Sequence, residues 1–238
     1  MIFTIEDRLS DSPFVERIWR AQTERTGSLR SIAMSGWEMV VSRYQDKTYM
    51  TVRGPETSAT LLPVTIVGTE FFGIRFKVGT ALSHLPASSL VDEDVNLPDA
   101  SSKSFWLNGS AWQFPTYENA DTFLNRLVRN GLLARNPVIE TALRGQLTDL
   151  SIRTARRHFQ RTTGLSQSTI RQIERARYAT VLLREGRSIL DVVYEAGYYD
   201  QPQLTRSLKY YIGQTPTQIM QKNGPEQLSL LYKTEPVR

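Results

Sequence analysis

The chain has 238 residues, no cysteine, two histidines (His84 and His158) and a formal net charge of +5. The missing cysteines exclude disulfides, thiol catalysis and cysteine-ligated zinc, and two histidines without clustered carboxylates give no basis for expecting a metal or any other cofactor. No run approaches the roughly twenty apolar residues of a membrane span, and the amino terminus lacks a basic start followed by an apolar core, so a soluble, cytoplasmic protein with no membrane partner is expected.

This length suits two domains of ordinary size, each with its own core, and the expected division is a β-rich domain over 1–134, a helical domain over 137–222 and a tail over 223–238, together an α+β chain. Ser35 to Arg43 and Thr48 to Val52 are predicted strands around the polar turn Gln45 to Lys47, and Leu61 to Val67 is a third. Phe71 to Val78 is the clearest, because Phe72, Ile74, Phe76 and Val78 alternate with Phe71, Gly73, Arg75 and Lys77. Arg53-Gly54-Pro55 and Val67-Gly68-Thr69 are turns, and short strands divided by glycine and proline predict a sandwich or small barrel with flanking helices. Short helical turns are expected over Ala81 to Leu90 and a polar loop over Pro98 to Ser104. Phe105 to Phe114 (FWLNGSAWQF) fits either a hairpin on Asn108-Gly109 or a helical cap. Pro115-Thr116 introduces a helix with Ala120, Phe123, Leu124, Leu127 and Val128 on one face, ended by Asn130-Gly131; that face either packs on the β-domain or meets a second copy. Trp19, Trp37, Trp106 and Trp112 read as core or interface residues, Arg75 as half of an ion pair, and His84 as a loop residue.

Arg135-Asn136-Pro137 marks the boundary. Beyond it Val138 to Leu147 predicts a helix and Asp149 to Ser151 a turn in which Ser151 caps the next helix. That helix turns Ile152, Ala155 and Phe159 inward and leaves Arg153, Thr154, Arg156, Arg157 and Gln160 outward, with His158 beside them, until Gly164 stops it. Ser168 to Glu185 is a long helix with Ile173, Ala176, Ala179, Leu182 and Leu183 apolar. Ser188 to Ala196 then sets Ile189, Val192, Val193 and Ala196 on one stripe; Gly197 ends it, Asp200 caps a further helix, and Pro202 falls in the first turn of that helix. Leu204, Leu208 and Tyr211 point one way, while Gln201, Gln203, Thr205, Arg206 and Lys209 remain for solvent or a ligand. Two short helices, a tight glycine turn and a polar second helix make a helix-turn-helix, and Gln, Thr and Arg are side chains that bond base edges and phosphates in a major groove. Charge points the same way. Residues 140–222 carry 13 Lys and Arg against 7 Asp and Glu, and the rest of the chain 16 against 17, so the whole positive excess lies where the helices are. Such a footprint suits nucleic acid, since each neutralised phosphate releases condensed counterions.

Two strings carry a family resemblance. GYYDQPQLTRSLK, from Gly197 to Lys209, with Gly213-Gln214-Thr215-Pro216 after it, resembles the second helix-turn-helix of the AraC/XylS transcription regulators, usually G-F-x-D-x-S-x-F-x-R-x-F-K and then G-x-x-P. Pro202 and Leu204 stand where that pattern has serine and phenylalanine. Ser151 to Phe159 with Thr163-Gly164-Leu165 resembles the first recognition helix, and Arg175 with Leu182-Leu183 the linker helix; Gly145 and Gln146 depart where a small apolar residue is usual.

The resemblance implies a DNA-binding transcription regulator rather than an enzyme, with double-stranded DNA as its partner. It places Arg153, Arg156 and Arg157 of the first helix, and Gln201, Gln203, Thr205 and Arg206 of the second, at base-reading or phosphate positions, with Thr154, Gln160 and Lys209 beside them. A rigid linker helix would let one monomer read two major-groove segments about 34 Å apart. The β-rich domain would sense a small-molecule effector or form a homodimer, and a contact to RNA polymerase is compatible with it. Gly73 to Gly79 (GIRFKVG) resembles only an uncharacterised domain associated with AraC-type proteins and names no ligand. An enzyme merely delivered to DNA would need a nucleophile or metal centre, and no Ser-His-acid arrangement is evident. A regulator whose first domain only dimerises would show the same residues.

Overall fold

A computed structural model describes residues 1–143, 152–221 and 227–229. The amino-terminal half contains β1 (Phe3–Arg8), β2 (Val15–Thr23), β3 (Gly27–Ser31), β4 (Glu38–Tyr44), β5 (Lys47–Arg53), β6 (Thr60–Val64), β7 (Glu70–Phe76) and β8 (Thr80–Leu82). After a 3-10 turn at Ala87–Ser89 come β9 (Asp94–Leu97), β10 (Asp99–Ser101), β11 (Ser104–Leu107), β12 (Ser110–Gln113), α1 (Ala120–Arg129) and β13 (Leu133–Arg135). Helices follow: α2 (Pro137–Leu143), α3 (Ile152–Thr163), α4 (Gln167–Arg184), α5 (Ile189–Glu195), α6 (Gln201–Tyr211) and α7 (Pro216–Met220), then a short β14 (Gln227–Leu228).

Six strands form one antiparallel sheet in the order β1-β2-β7-β4-β5-β9. Side chains alternate across it. Met39 and Val41 of β4, Met50 and Val52 of β5, and Phe72, Ile74 and Phe76 of β7 are buried in a first core, where α1 and the β11–β12 hairpin cover them. Trp37 stacks on Phe76 with ring centroids 3.9 Å apart and donates its indole N–H to the Thr80 carbonyl at 2.7 Å. Ala120, Phe123, Leu124 and Leu127 of α1 lie within this core, Phe123 meeting Phe105 and Trp112 edge-on, while Val128, expected on the same face, is exposed. The opposite face of the sheet, with Trp19, Glu38, Val40, Phe71 and Arg75, is overlain by a second layer in the order β14-β3-β6. Gly73 makes this possible locally: the Trp19 ring lies over it, and a Cβ there would come within 2.2 Å of the indole. The outer strands β1 and β9 do not pair, so the described residues make an open two-layer arrangement and no closed barrel.

Between the layers sits a charged group of side chains. Arg75 lies 3.1 Å from Glu38, both almost fully buried, and Arg53 bridges Glu38 at 3.2 Å to Glu56, whose other oxygen accepts from Ser31 at 2.6 Å. Burial raises the Glu38 carboxyl, but the Arg75 and Arg53 guanidiniums outweigh it and hold the group below the usual carboxylate range. For Glu56 burial wins over Arg53 and Ser31, and the carboxyl is raised. Arg75 is thus in the ion pair expected of it.

The structure departs from the sequence reading at three places in the first half and settles a fourth that the sequence leaves open. Strands β1, β2 and β3 precede Ser35, where none was read. In β2 the register shifts between Val15 and Arg17, so Val15 and Ile18 face the same core despite their odd spacing, and the two-residue period is lost. Over 81–90 the chain is a strand end and one 3-10 turn, and Pro98 to Ser104 contains β10 paired with β11. Asn108 and Gly109 both take positive φ, 48° and 74°, so Phe105 to Phe114 is a hairpin on a tight two-residue turn.

The helices gather around α4, which buries Ile170, Ile173, Ala176, Ala179, Leu182 and Leu183 in a second core with Phe159, Val192, Leu204 and Leu208. This core also takes in Ile32, Ala33 and Leu228 from outside the helical region. The contact continues in the backbone: Ala33 N–H donates to the Tyr211 carbonyl at 2.8 Å and Ala59 N–H to the Tyr210 carbonyl at 2.9 Å, closing the end of α6 whose carbonyls have no helical partner. Arg177 of α4, buried, donates to the Ala33 carbonyl at 3.2 Å, and Ser35 donates to Glu174.

Candidate nucleic-acid interface

The second helical pair is built as its residues dictate. Ser188 caps α5 by accepting from Asp191 N–H at 3.1 Å, and Val192 is the residue of α5 that is fully buried. Gly197 turns the chain at φ 69°, where a side chain would be strained. Tyr198 goes inward, its hydroxyl 2.9 Å from Ser207, while Tyr199 stays 91% exposed. Asp200 then caps α6 by accepting from Gln203 N–H at 2.7 Å, with Pro202 in the first turn, where no helical hydrogen bond is lost. Leu204, Leu208 and Tyr211 are buried, and the Tyr211 hydroxyl donates to Gln172 of α4 at 2.6 Å. Arg175 of α4 lies over the Tyr198 ring at 4.4 Å and donates to the Gly197 carbonyl, which ties the turn to the central helix. Thr215 and Gln218 cap α7 reciprocally.

On α6, Gln201, Arg206 and Lys209 are exposed, and Thr205 is half-buried. Gln203 has a further duty that its spacing did not announce. Its side-chain oxygen accepts from the Tyr199 N–H at 2.8 Å, so with Asp200 it closes the helix start from both sides. On α3, Phe159 is buried and Arg156 and Arg157 are exposed, while Gly164 ends the helix at φ 75°. Gln160 donates to the Gly164 carbonyl at 3.0 Å, and Thr154 is half-buried and already engaged. Arg153 belongs to the first turn of α3; its side chain, like that of His158, lies outside the described set, as do the expected cap Ser151 and residues 144–150 of the preceding helix and turn.

Arg156 and Gln160 share an open groove of about 860 Å³ with Ser168, Arg171 and Arg175 of α4 and the end of α5. Arg171 and the two serines at the start of α4, Ser166 and Ser168, were not singled out from the sequence. The available signal was the polar strip Gln167, Arg171 and Arg175 at four-residue spacing along an otherwise apolar helix. No residue of α6 lines this groove, so Arg206 and Lys209 stand apart from Arg156, Arg171 and Arg175. Among the described residues there is no cluster of three or more side chains suited to a metal, and no helix is long and apolar enough to cross a membrane.

Residues 146–222, about a third of the chain, match a family model described as a helix-turn-helix domain. No curated protein and no solved structure matches the chain.

Proposed function

We propose that the chain is a DNA-binding transcription regulator whose residues 146–222, matching a helix-turn-helix family model, act as an AraC-type DNA reader, and that it selects specific DNA sequences under the control of its β-rich domain. The observation that carries the reading is α6: capped at its start by Asp200, closed at its end by Ala33 and Ala59, and buried along Leu204 and Leu208, it holds Gln201, Arg206 and Lys209 outward on a fixed backbone. Arg206 and Gln201 suit base edges, Lys209 a phosphate, and Arg156 and Arg157 of α3 a second segment of the same duplex. Control by an effector is supported by the contact of β3 and its following residues with α4 and α6, because a change in the first domain reaches the recognition helix directly. Such control shifts the population competent for DNA rather than creating new contacts.

The test is selection from a randomised duplex library by the purified full-length protein. An enriched sequence whose positions change in the Arg206→Ala and Arg157→Ala proteins is the expected result. No enrichment by the parent protein, or identical enrichment by both variants, would sink the reading.

A further inference from the structure

The layer β14-β3-β6 and the face of the six-stranded sheet that it overlies enclose a cavity of about 470 Å³, within the range of about 300–1,000 Å³ usual for small-molecule sites. Its walls are largely apolar, Phe3, Val40 and Phe71 among them, and at one end stand Glu38, Arg53, Glu56 and Arg75. Tyr49, Leu62 and Ile66 line it while remaining more than a third exposed, so it opens to solvent between them. The charge balance limits what can enter. Two carboxylates and two guanidiniums are joined by ion pairs from Arg75 to Glu38, from Glu38 to Arg53 and from Arg53 to Glu56, and they cancel formally, while the remaining charge on the lining, Asp94, is solvent-exposed at the start of the edge strand β9. An ionic ligand would lose its hydration without gaining a net counter-charge.

We propose that this cavity is the effector site of the regulator and that it takes a neutral, largely apolar small molecule with a hydrogen-bonding group turned toward Arg53 and Glu56. The assignment rests on the reading that the first domain controls the DNA-binding one. The site's own wall makes the connection. Ser31 at the polar end bonds Glu56, Ile32 lines the cavity and also enters the second core, and Ala33 bonds Tyr211 at the end of α6 and accepts from Arg177 of α4. An occupant that displaces β3 from the sheet displaces the end of the recognition helix with it.

The experiment uses three molecules with one body: 1-naphthalenemethanol, which is neutral, 1-naphthoate, an anion, and 1-naphthylmethylamine, a cation. Each is dialysed to equilibrium against the full-length protein and against Ala21→Trp, which places an indole in the cavity from β2; Ser42→Leu is the milder variant should the first not fold. The expected result is that the alcohol binds at least about tenfold more tightly than either ion and loses its binding in the cavity-filled variant. Equal binding of the naphthoate, undiminished binding by the folded variant, or no binding of any of the three at millimolar concentration would overturn the assignment. Sedimentation of the same samples covers another occupant, since a dimer dispersed by Leu62→Glu would give the opening to a second copy and overturn the small-molecule reading. Affinity for the selected duplex, measured with and without the alcohol, separates the two levels. A change supports the connection through β3, no change overturns it, and a protein that selects no sequence sinks the regulator reading while leaving the dialysis result standing.

Discussion

Glu38 and Glu56 share Arg53 yet answer burial oppositely, because Glu38 has a second guanidinium in Arg75 and Glu56 has a hydroxyl instead. The lowered Glu38 carboxyl favours the folded state above the ordinary carboxylate range, and that contribution disappears as pH falls through its depressed folded value. The raised Glu56 carboxyl opposes folding while ionised, and the opposition is relieved as pH falls through its elevated value. Urea midpoints are therefore expected to hold or rise slightly as the pH is lowered from neutrality to just above the ordinary carboxylate range, then to fall below it; Glu56→Gln should abolish the initial rise. Glu38→Gln should lower stability by about 3–5 kcal/mol at neutral pH, as breaking a buried ion pair does, and Glu56→Gln by clearly less. Arg206 and Lys209 separate by a different measurement, anisotropy titration of a labelled duplex over a range of salt. Arg206→Ala should lose about 1–3 kcal/mol and relax selectivity at one base pair, while Lys209→Ala should weaken all sequences alike and reduce the salt slope by about 1. At this scale the exposed positions of α6 were legible in the sequence, since burial of Leu204, Leu208 and Tyr211 leaves Gln201, Arg206 and Lys209 outside. The capping role of Gln203 was not, because it depends on the rotamer that brings its side chain back to Tyr199.

Elements differ in how plainly they announce themselves. Helices α3, α5 and α6 were readable because their punctuation is local: Gly164 and Gly197 take positive φ at helix ends and Asp200 caps α6, whereas α7 with its Thr215 cap was not read. Phe71 to Val78 was readable because β7 lies between a core and a cavity, and each face keeps its own residue type. Strand β3 was not, because its largely half-buried positions set no alternation; β1 alternates only from Phe3 to Glu6, and β2 hides its own period behind a bulge. The opening of α6 is testable by itself. Asp200→Ala removes an acceptor for the Gln203 N–H and should lower stability by about 0.5–2 kcal/mol, read from the thermal melting of the full-length protein, with weaker duplex binding as the helix start frays. Melting unchanged from the parent would mean that Gln203 alone sustains the turn.

For the molecule as a whole, the two regions are joined by more than a connecting segment. Ile32 and Ala33 complete the second core, and Arg177 is buried where the first domain meets α4. A protein beginning at Asn136 should consequently melt at a lower temperature and less cooperatively than the full chain, as followed by circular dichroism at the helical wavelengths. Equal melting would show that the contacts of Ala33 and Ala59 add nothing to helix stability. This mutual dependence was not visible in the sequence, since the boundary expected at Arg135-Asn136-Pro137 rests on local residues and the crossing contacts are made by residues far away. The most distant of these is β14, which lies parallel to β3, Gln227 opposite Leu29, while the Gln227 side-chain oxygen accepts from the N–H groups of Ile2 and Phe3. Seen from the ribosome, the edge of β3 therefore waits unpaired while nearly two hundred further residues are synthesised. The β-rich domain emerges first but finishes last, and translation that stops after α7 would release a chain with an open sheet edge, the kind of surface on which newly made proteins associate wrongly.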